Sequence, residues 1–266
     1  MSDSPGEPLK SDRHPHAPAN PTYGDGVFRR RVRLRNEAGV VSGELEDSSH
    51  GFRVRIEHDT QTIVAIVGEA LRYPLTTCPS ALDSLQGFVG LPLDLTADAI
   101  QSRLNPKHQC THLYDLAVWS YAHLRREEVE RVYDIHIDDE AGSAKPLQVV
   151  ENGRIVLEWH MRDWQIQKPA ELAGQTIHRG FSRWMHAHYD NDEQAREYAW
   201  LAQKGYLVAQ ARLFDMGEMG GRSSVYDESM LGVCHSYTAG RIENATFMDH
   251  STRDFTDCPE QLLRFE

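Results

Sequence analysis

The chain has 266 residues, 40% of them hydrophobic and 26% charged, the proportions of an ordinary globular protein. Its formal charge of −12 excludes nucleic acid or an anionic membrane surface as the main partner. No apolar run reaches the ~20 residues that a membrane-spanning helix needs, and Met1-Ser2-Asp3-Ser4-Pro5-Gly6 is not a hydrophobic leader. A cytoplasmic location follows as the expectation, with the four cysteines (78, 110, 234 and 258, no CxxC pair) reduced.

Residues 1–26 are rich in Pro, Ser, Asp and His and nearly devoid of large apolar side chains. Such a stretch cannot bury enough surface to offset its ordering entropy, so a mobile tail is expected, with His14 and His16 facing solvent. From Val27 the period becomes two. Phe28, Val32 and Leu34 alternate with arginines, which reads Arg29-Arg30-Arg31, Arg33 and Arg35 as the solvated face of a strand. Val40-Val41 and Leu45 follow a turn, Phe52, Val54 and Ile56 alternate with charges, and Ile63–Leu71 is apolar enough for a central strand. An antiparallel meander results.

Helices are predicted at 79–89, 95–104 and 108–126, the second capped at Thr96 and the third carrying Leu113, Leu116, Ala117, Tyr121 and Leu124 on one stripe. A second strand block runs from Val132 to Ile166, with a hairpin signal at Asn152-Gly153. Helices return at 169–187 and 193–212, the latter after Asp190-Asn191-Asp192. Met216–Gly221 is a loop able to cover a pocket, and the rest is irregular. The expected class is α+β, an antiparallel sheet packed on helices. It divides into a tail (1–26), a first subdomain (27–128) and a second (129–266), with a hint that one strand-then-helix unit is duplicated.

Two thiols fall where an apolar strand ends (Cys78) and where a helix starts (Cys110), and a helix N-terminus favours a thiolate. The segment Tyr73–Leu124 is therefore read as the floor of a functional pocket. Asp47, His50, Cys78, Cys110 and His112 suit two chemistries. As metal ligands, two thiolates and one or two imidazoles fit tetrahedral zinc. As an organic active site, Asp47 or His50 removes a proton while Tyr73 or His112 donates or orients. The plain alternative is that the cysteines are small buried apolar residues. His108 and His112 share a helix face, but no HExxH pattern surrounds them; Arg179 can clamp a phenolate or carboxylate. No GxGxxG after a strand, no Walker A and no GxSxG occur. Trp159, Trp164, Phe181, Trp184, Tyr198 and Trp200 crowd the second half, as core or as the lining for a flat ligand.

Two resemblances rest on these residues. Tyr73-Pro74…Cys78-Pro79, Cys110-Thr111-His112-Leu113, Arg179-Gly180-Phe181, Ala211-Arg212, Cys234 and Arg253-Asp254-Phe255 together look like a bacterial family of largely uncharacterised function. Its members often accompany genes for aromatic or acyl-CoA catabolism. That resemblance implies a catabolic enzyme for a small, poorly water-soluble substrate. Separately, residues 50–124, through His50-Gly51-Phe52, Cys78 and Lys107-His108-Gln109-Cys110-Thr111, are similar to the NifU/IscU iron–sulfur scaffold, with His50 where that pattern has its first cysteine. It implies a fold that gathers His50, Cys78 and Cys110. The leading expectation is a cofactor-independent lyase acting on a phenolic, lignin-derived aromatic compound, with C–C cleavage releasing formaldehyde. Its residues would be Asp47, His50, Tyr73, His112 and Arg179. The alternatives are a zinc- or iron-binding, cluster-handling protein using His50, Cys78 and Cys110, and a non-catalytic ligand-binding module. A homodimer is expected if the first block leaves a sheet edge exposed.

Overall fold

The computed structural model describes residues 17–104, 109–140, 142–226 and 230–265. His14, His16 and His108 lie outside them. One antiparallel sheet of eight strands runs through the protein: β1 (Val27–Glu37), β2 (Val40–Glu46), β3 (Gly51–His58), β4 (Ile63–Arg72), β5 (Glu130–Asp138), β6 (Lys145–Glu151), β7 (Arg154–Arg162) and β8 (Gln165–Lys168). Their order is β4-β3-β2-β1-β5-β6-β7-β8. The two expected subdomains thus share one sheet, joined where β1 pairs with β5 from Val27↔Asp138 to Arg35↔Glu130. Each half is a four-stranded meander followed by helices, the repeat of layout that the sequence hinted at.

Among the described residues the α-helices are α1 (Ala97–Arg103), α2 (Thr111–Leu124), α3 (Phe181–His188) and α4 (Glu193–Ala209). Helix α2 packs across β1–β3 and α4 across β5–β7. Thr96 caps α1 by accepting from Ala99 N at 3.2 Å, and Asp192 caps α4 by accepting from Ala195 N at 2.8 Å. The stretch Cys78–Phe88 is a 3-10 helix. The helix expected over 169–187 is cut to its last turns, because Gly174 (φ 85°) and Gly180 (φ 80°) adopt left-handed backbone that an α-helix cannot contain. The Asn152-Gly153 hairpin forms as predicted, both residues having positive φ. A second such turn, Asp163-Trp164, splits the long run ending at Ile166 into β7 and β8.

The alternation in β1 holds, with one consequence missed. Phe28, Arg30, Val32 and Leu34 point inward, so Arg30 is 1% exposed rather than solvated. Arg31, Arg33 and Arg35 face outward and pair with Asp134, Glu44 and Glu130. Seating α2 requires Gly43 in β2: a Cβ there would lie 2.2 Å from Ser120 Oγ and 3.0 Å from Leu116 Cδ1. The close approach fixes the helix whose first turn carries His112.

Residues 17–26 are pinned rather than loose: Asn20 N donates to Leu213 O at 2.9 Å, and Gly24 N and Gly26 N each reach Asp139 Oδ2 at 3.2 Å. The β4 edge, the feature that favoured a dimer, is partly taken within the chain. Gly90 N donates to Ile63 O at 2.8 Å and Gln86 Nε2 to Ile66 O at 3.1 Å. Among the described residues no helix is long and apolar enough to cross a membrane.

Candidate active site

The turn between β2 and β3 is built on Asp47. Its Oδ1 accepts from Ser49 N at 2.8 Å and His50 N at 2.9 Å, and its backbone N–H donates to His50 O at 2.9 Å. Asp is suited to this because its short side chain reaches the amides two and three residues on. The same Oδ1 meets His50 Nδ1 at 3.0 Å, while Oδ2 accepts from Arg30 Nε at 2.9 Å and Nη2 at 2.5 Å. Arg30, Asp47 and His50 form one chain of charge-assisted hydrogen bonds running from the sheet interior to the turn.

His112 enters from the first turn of α2, and its ring stacks on that of His50 with centroids 3.7 Å apart and planes inclined by 23°. Phe52 continues the stack, 5.9 Å from His50 and 6.2 Å from His112. These rings form one wall of a cavity of about 120 Å³. Leu75, Cys78 and Cys110 line its floor, so the segment expected there does provide it. The opposite wall comes from Leu207, Val208, Gln210 and Ala211 and from the irregular chain between Met216 and Thr252, chiefly Met230, Cys234, His235, Ser236, Tyr237 and Phe247. Hydrogen bonds tie that wall in place: His235 N to Gln109 O at 3.2 Å, Thr76 N to Thr246 O at 3.0 Å and Arg253 N to Ser48 O at 2.8 Å. Met216, at the head of the loop expected to cover a pocket, lines it.

The electrostatics follow from this burial. Desolvation alone would raise the Asp47 carboxyl, but its interactions with His50 and the Arg30 guanidinium outweigh it and hold the group well below the ordinary carboxylate range. His112 is pushed down, first by burial and then by His50 and Arg30, so its imidazole is neutral near pH 7. The thiols behave opposite to the helix-terminus expectation. Burial raises Cys78 to about 11, and it raises Cys110 and Cys234 as well. Cys110 does precede α2, but the loss of hydration outweighs the dipole, and all three are neutral thiols.

Of the residues singled out in the sequence, His50, Cys78, Cys110 and His112 line this cavity, and Asp47 lies behind its wall, bonded to His50. Tyr73 and Arg179 are elsewhere. Tyr73 is half-buried between the two apolar clusters of the core, and Arg179 is exposed in the turn before α3; neither lines the cavity. The cation of the site is Arg30, legible only from its parity with Phe28, Val32 and Leu34. Nothing periodic marks the wall beyond residue 210, which is why His235 and Ser236 escaped notice. For metal binding, Asp47, His50 and His112 each offer a ligand atom within 4.8 Å of the others. Among the described residues neither Cys78 nor Cys110 joins such a group, which separates the thiols from the His50 ligand set expected of a scaffold.

A pH dependence of stability follows. Burial depresses the folded-state titration of His112, His123 and His136. Above about pH 6.5 these groups are neutral in folded and unfolded chain alike and contribute no slope. Below it the unfolded chain binds protons that the folded one refuses, so stability falls as pH drops. A melting series from pH 7.5 to 4.5 should show a declining Tm, with a shallower slope in His123→Phe; a flat profile would contradict the burial argument.

No curated protein matches the chain. Residues 29–123 resemble a family described only as a protein of unknown function, DUF2889, a match that takes in Arg30, Asp47, His50, Cys78, Cys110 and His112.

Proposed function

We propose that the protein is an acid–base enzyme, a lyase that cleaves a C–C bond in a small phenolic compound of the kind lignin breakdown yields, releasing a hydroxymethyl carbon as formaldehyde. The observation that carries this reading is the 3.0 Å contact from Asp47 Oδ1 to His50 Nδ1 at the wall of an apolar cavity. An ionised carboxylate only accepts, so Nδ1 of His50 carries the proton and Nε2 keeps its lone pair. Nε2 takes the hydroxyl proton of the substrate's CH2OH arm. The C–C bond to the arm breaks, formaldehyde leaves, and the electron pair stays on a carbon conjugated with the ring. His50 then returns the proton to that carbon, for a net R–CH2OH to R–H plus CH2O. The imidazolium formed in between is stabilised by the Asp47 carboxylate and by the face of neutral His112.

An apolar cavity of roughly 150 Å³ accommodates a benzene ring. The present one, at about 120 Å³, therefore holds at most one ring, with any second ring of a dimeric substrate outside. The test is direct. Incubating the protein with phenolic compounds that bear a hydroxymethyl arm should release formaldehyde in step with loss of substrate, and His50→Gln should release it at least about 100-fold more slowly. Absence of formaldehyde across single-ring and two-ring substrates ends the proposal.

A second reading is a metal-binding protein; the Asp47–His50–His112 group favours a cation there, whereas an iron–sulfur-handling role through His50, Cys78 and Cys110 draws nothing from a group that lacks both thiols. The acid–base reading is preferred because both Asp47 oxygens already accept from Arg30, His50 and two backbone amides. A cation would have to displace one of these donors. Metal analysis of protein purified without added metal discriminates: near one zinc or iron per chain favours the second reading.

A further inference from the structure

The lining of the cavity is unusual for a site with so much titratable chemistry beside it. Among the described residues that line it there is no Asp, Glu, Lys or Arg. Asp47 and Arg30 lie behind the wall at 0% and 1% exposure and neutralise each other there. What faces the interior is aliphatic and aromatic carbon, thioether and thiol sulfur, the imidazoles of His50, His112 and His235, and hydroxyl and amide groups such as Ser236, Gln210 and Ser251. The hydroxyl of Ser236 donates to Cys78 Sγ at 3.4 Å, so even that polar group is partly occupied within the protein.

Such a wall makes a strong selection. A carboxylate or phenolate brought into it loses its water and gains no permanently charged partner, since His50 serves there as a base with a free lone pair, whereas a neutral hydroxyl needs a single partner. The cation that was expected to clamp an anionic substrate, Arg179, is exposed on a turn outside the cavity.

From this we infer that the cavity selects by charge: its ligand is an uncharged aromatic alcohol whose phenol stays protonated, and the matching carboxylate is refused. The inference rests on the reading of this cavity as a substrate site, and it names the substrate class.

The test is a pair of ligands that share a ring, 4-hydroxybenzyl alcohol and 4-hydroxybenzoate, titrated calorimetrically at pH 7.5 into the full chain carrying His50→Gln, so that turnover does not interfere. The alcohol is expected to bind about 100-fold more tightly, the scale set by desolvating an unpaired charge. Equal binding, tighter binding of the carboxylate, or no binding of either would overturn the inference. Thr252→Lys, at the exposed rim, places an ammonium over the cavity. With its fold verified by circular dichroism, it should raise the affinity for the carboxylate at least tenfold; an unchanged affinity would rule out charge as the cause. The two proposals fail separately. Preference for the alcohol without formaldehyde release from wild type sinks the lyase and leaves the selection. Formaldehyde release that is indifferent to a carboxylate on the ring does the reverse.

Discussion

Replacing Asp47 with Ala should cost about 3–5 kcal/mol of folding stability, because it strands the Arg30 guanidinium inside the protein without a partner. The full extent goes beyond the ion pair. The carboxylate also holds Ser49 N, His50 N and the His50 ring, so the turn opens as well. For a chain of this size the loss corresponds to a fall in Tm on the order of 10 °C. Asp47→Asn keeps an oxygen for the two amides and removes the charge, and should lie between Ala and wild type. The decisive comparison is a double-mutant cycle. Combining Arg30→Met with Asp47→Asn removes both charges while sparing the turn, and should recover a large part of what Asp47→Asn alone loses. Strict additivity in denaturant unfolding would mean that the two side chains do not act as a pair.

Substitution of His50 should have the complementary effect, large on turnover and small on stability. Its ring is 12% exposed and anchors no backbone through its side chain, so His50→Gln should move Tm by only a few degrees. The loss of a positioned proton acceptor should lower kcat by about 10²–10⁴-fold. His112→Phe keeps an aromatic face on the stack and removes the second imidazole; a smaller loss is expected, since His112 supports the His50 cation rather than taking the proton. Tyr73→Phe and Arg179→Ala, outside the cavity, should change kcat by no more than a few-fold. If Arg179→Ala matched His50→Gln in effect, the site would be misplaced.

The fold was legible wherever period and turn chemistry agreed. The inward set of β1–β3, the caps Thr96 and Asp192 and the Asn152-Gly153 hairpin follow from local rules that packing does not override. Helix 169–187 failed because Gly174 and Gly180 take left-handed backbone, which an α-helix cannot contain. At the site, Asp47, His50 and His112 were recognisable by residue type and by the turns that carry them. Arg30 was not, although the alternation that buries Phe28 and Val32 buries it too; charge was allowed to overrule parity. The thiols were misjudged in the opposite direction, since proximity to a helix start says nothing about how much water the fold removes. The wall beyond residue 210 has no regular structure, and only three-dimensional contacts such as His235 to Gln109 place it.

The cavity has two authors within one chain. Arg30, Asp47, His50 and His112 all belong to the stretch that matches the uncharacterised family, while His235, Ser236, Met230 and Thr252 lie downstream of it. On the proposed function, the base would come from the first stretch and a large part of the cavity wall from the second, joined by backbone hydrogen bonds such as His235 N to Gln109 O. If the proposal holds, exchanging the downstream stretch for a differently shaped one should change which ligand fits and leave His50 in place, so chains that share only the upstream part need not share a ligand.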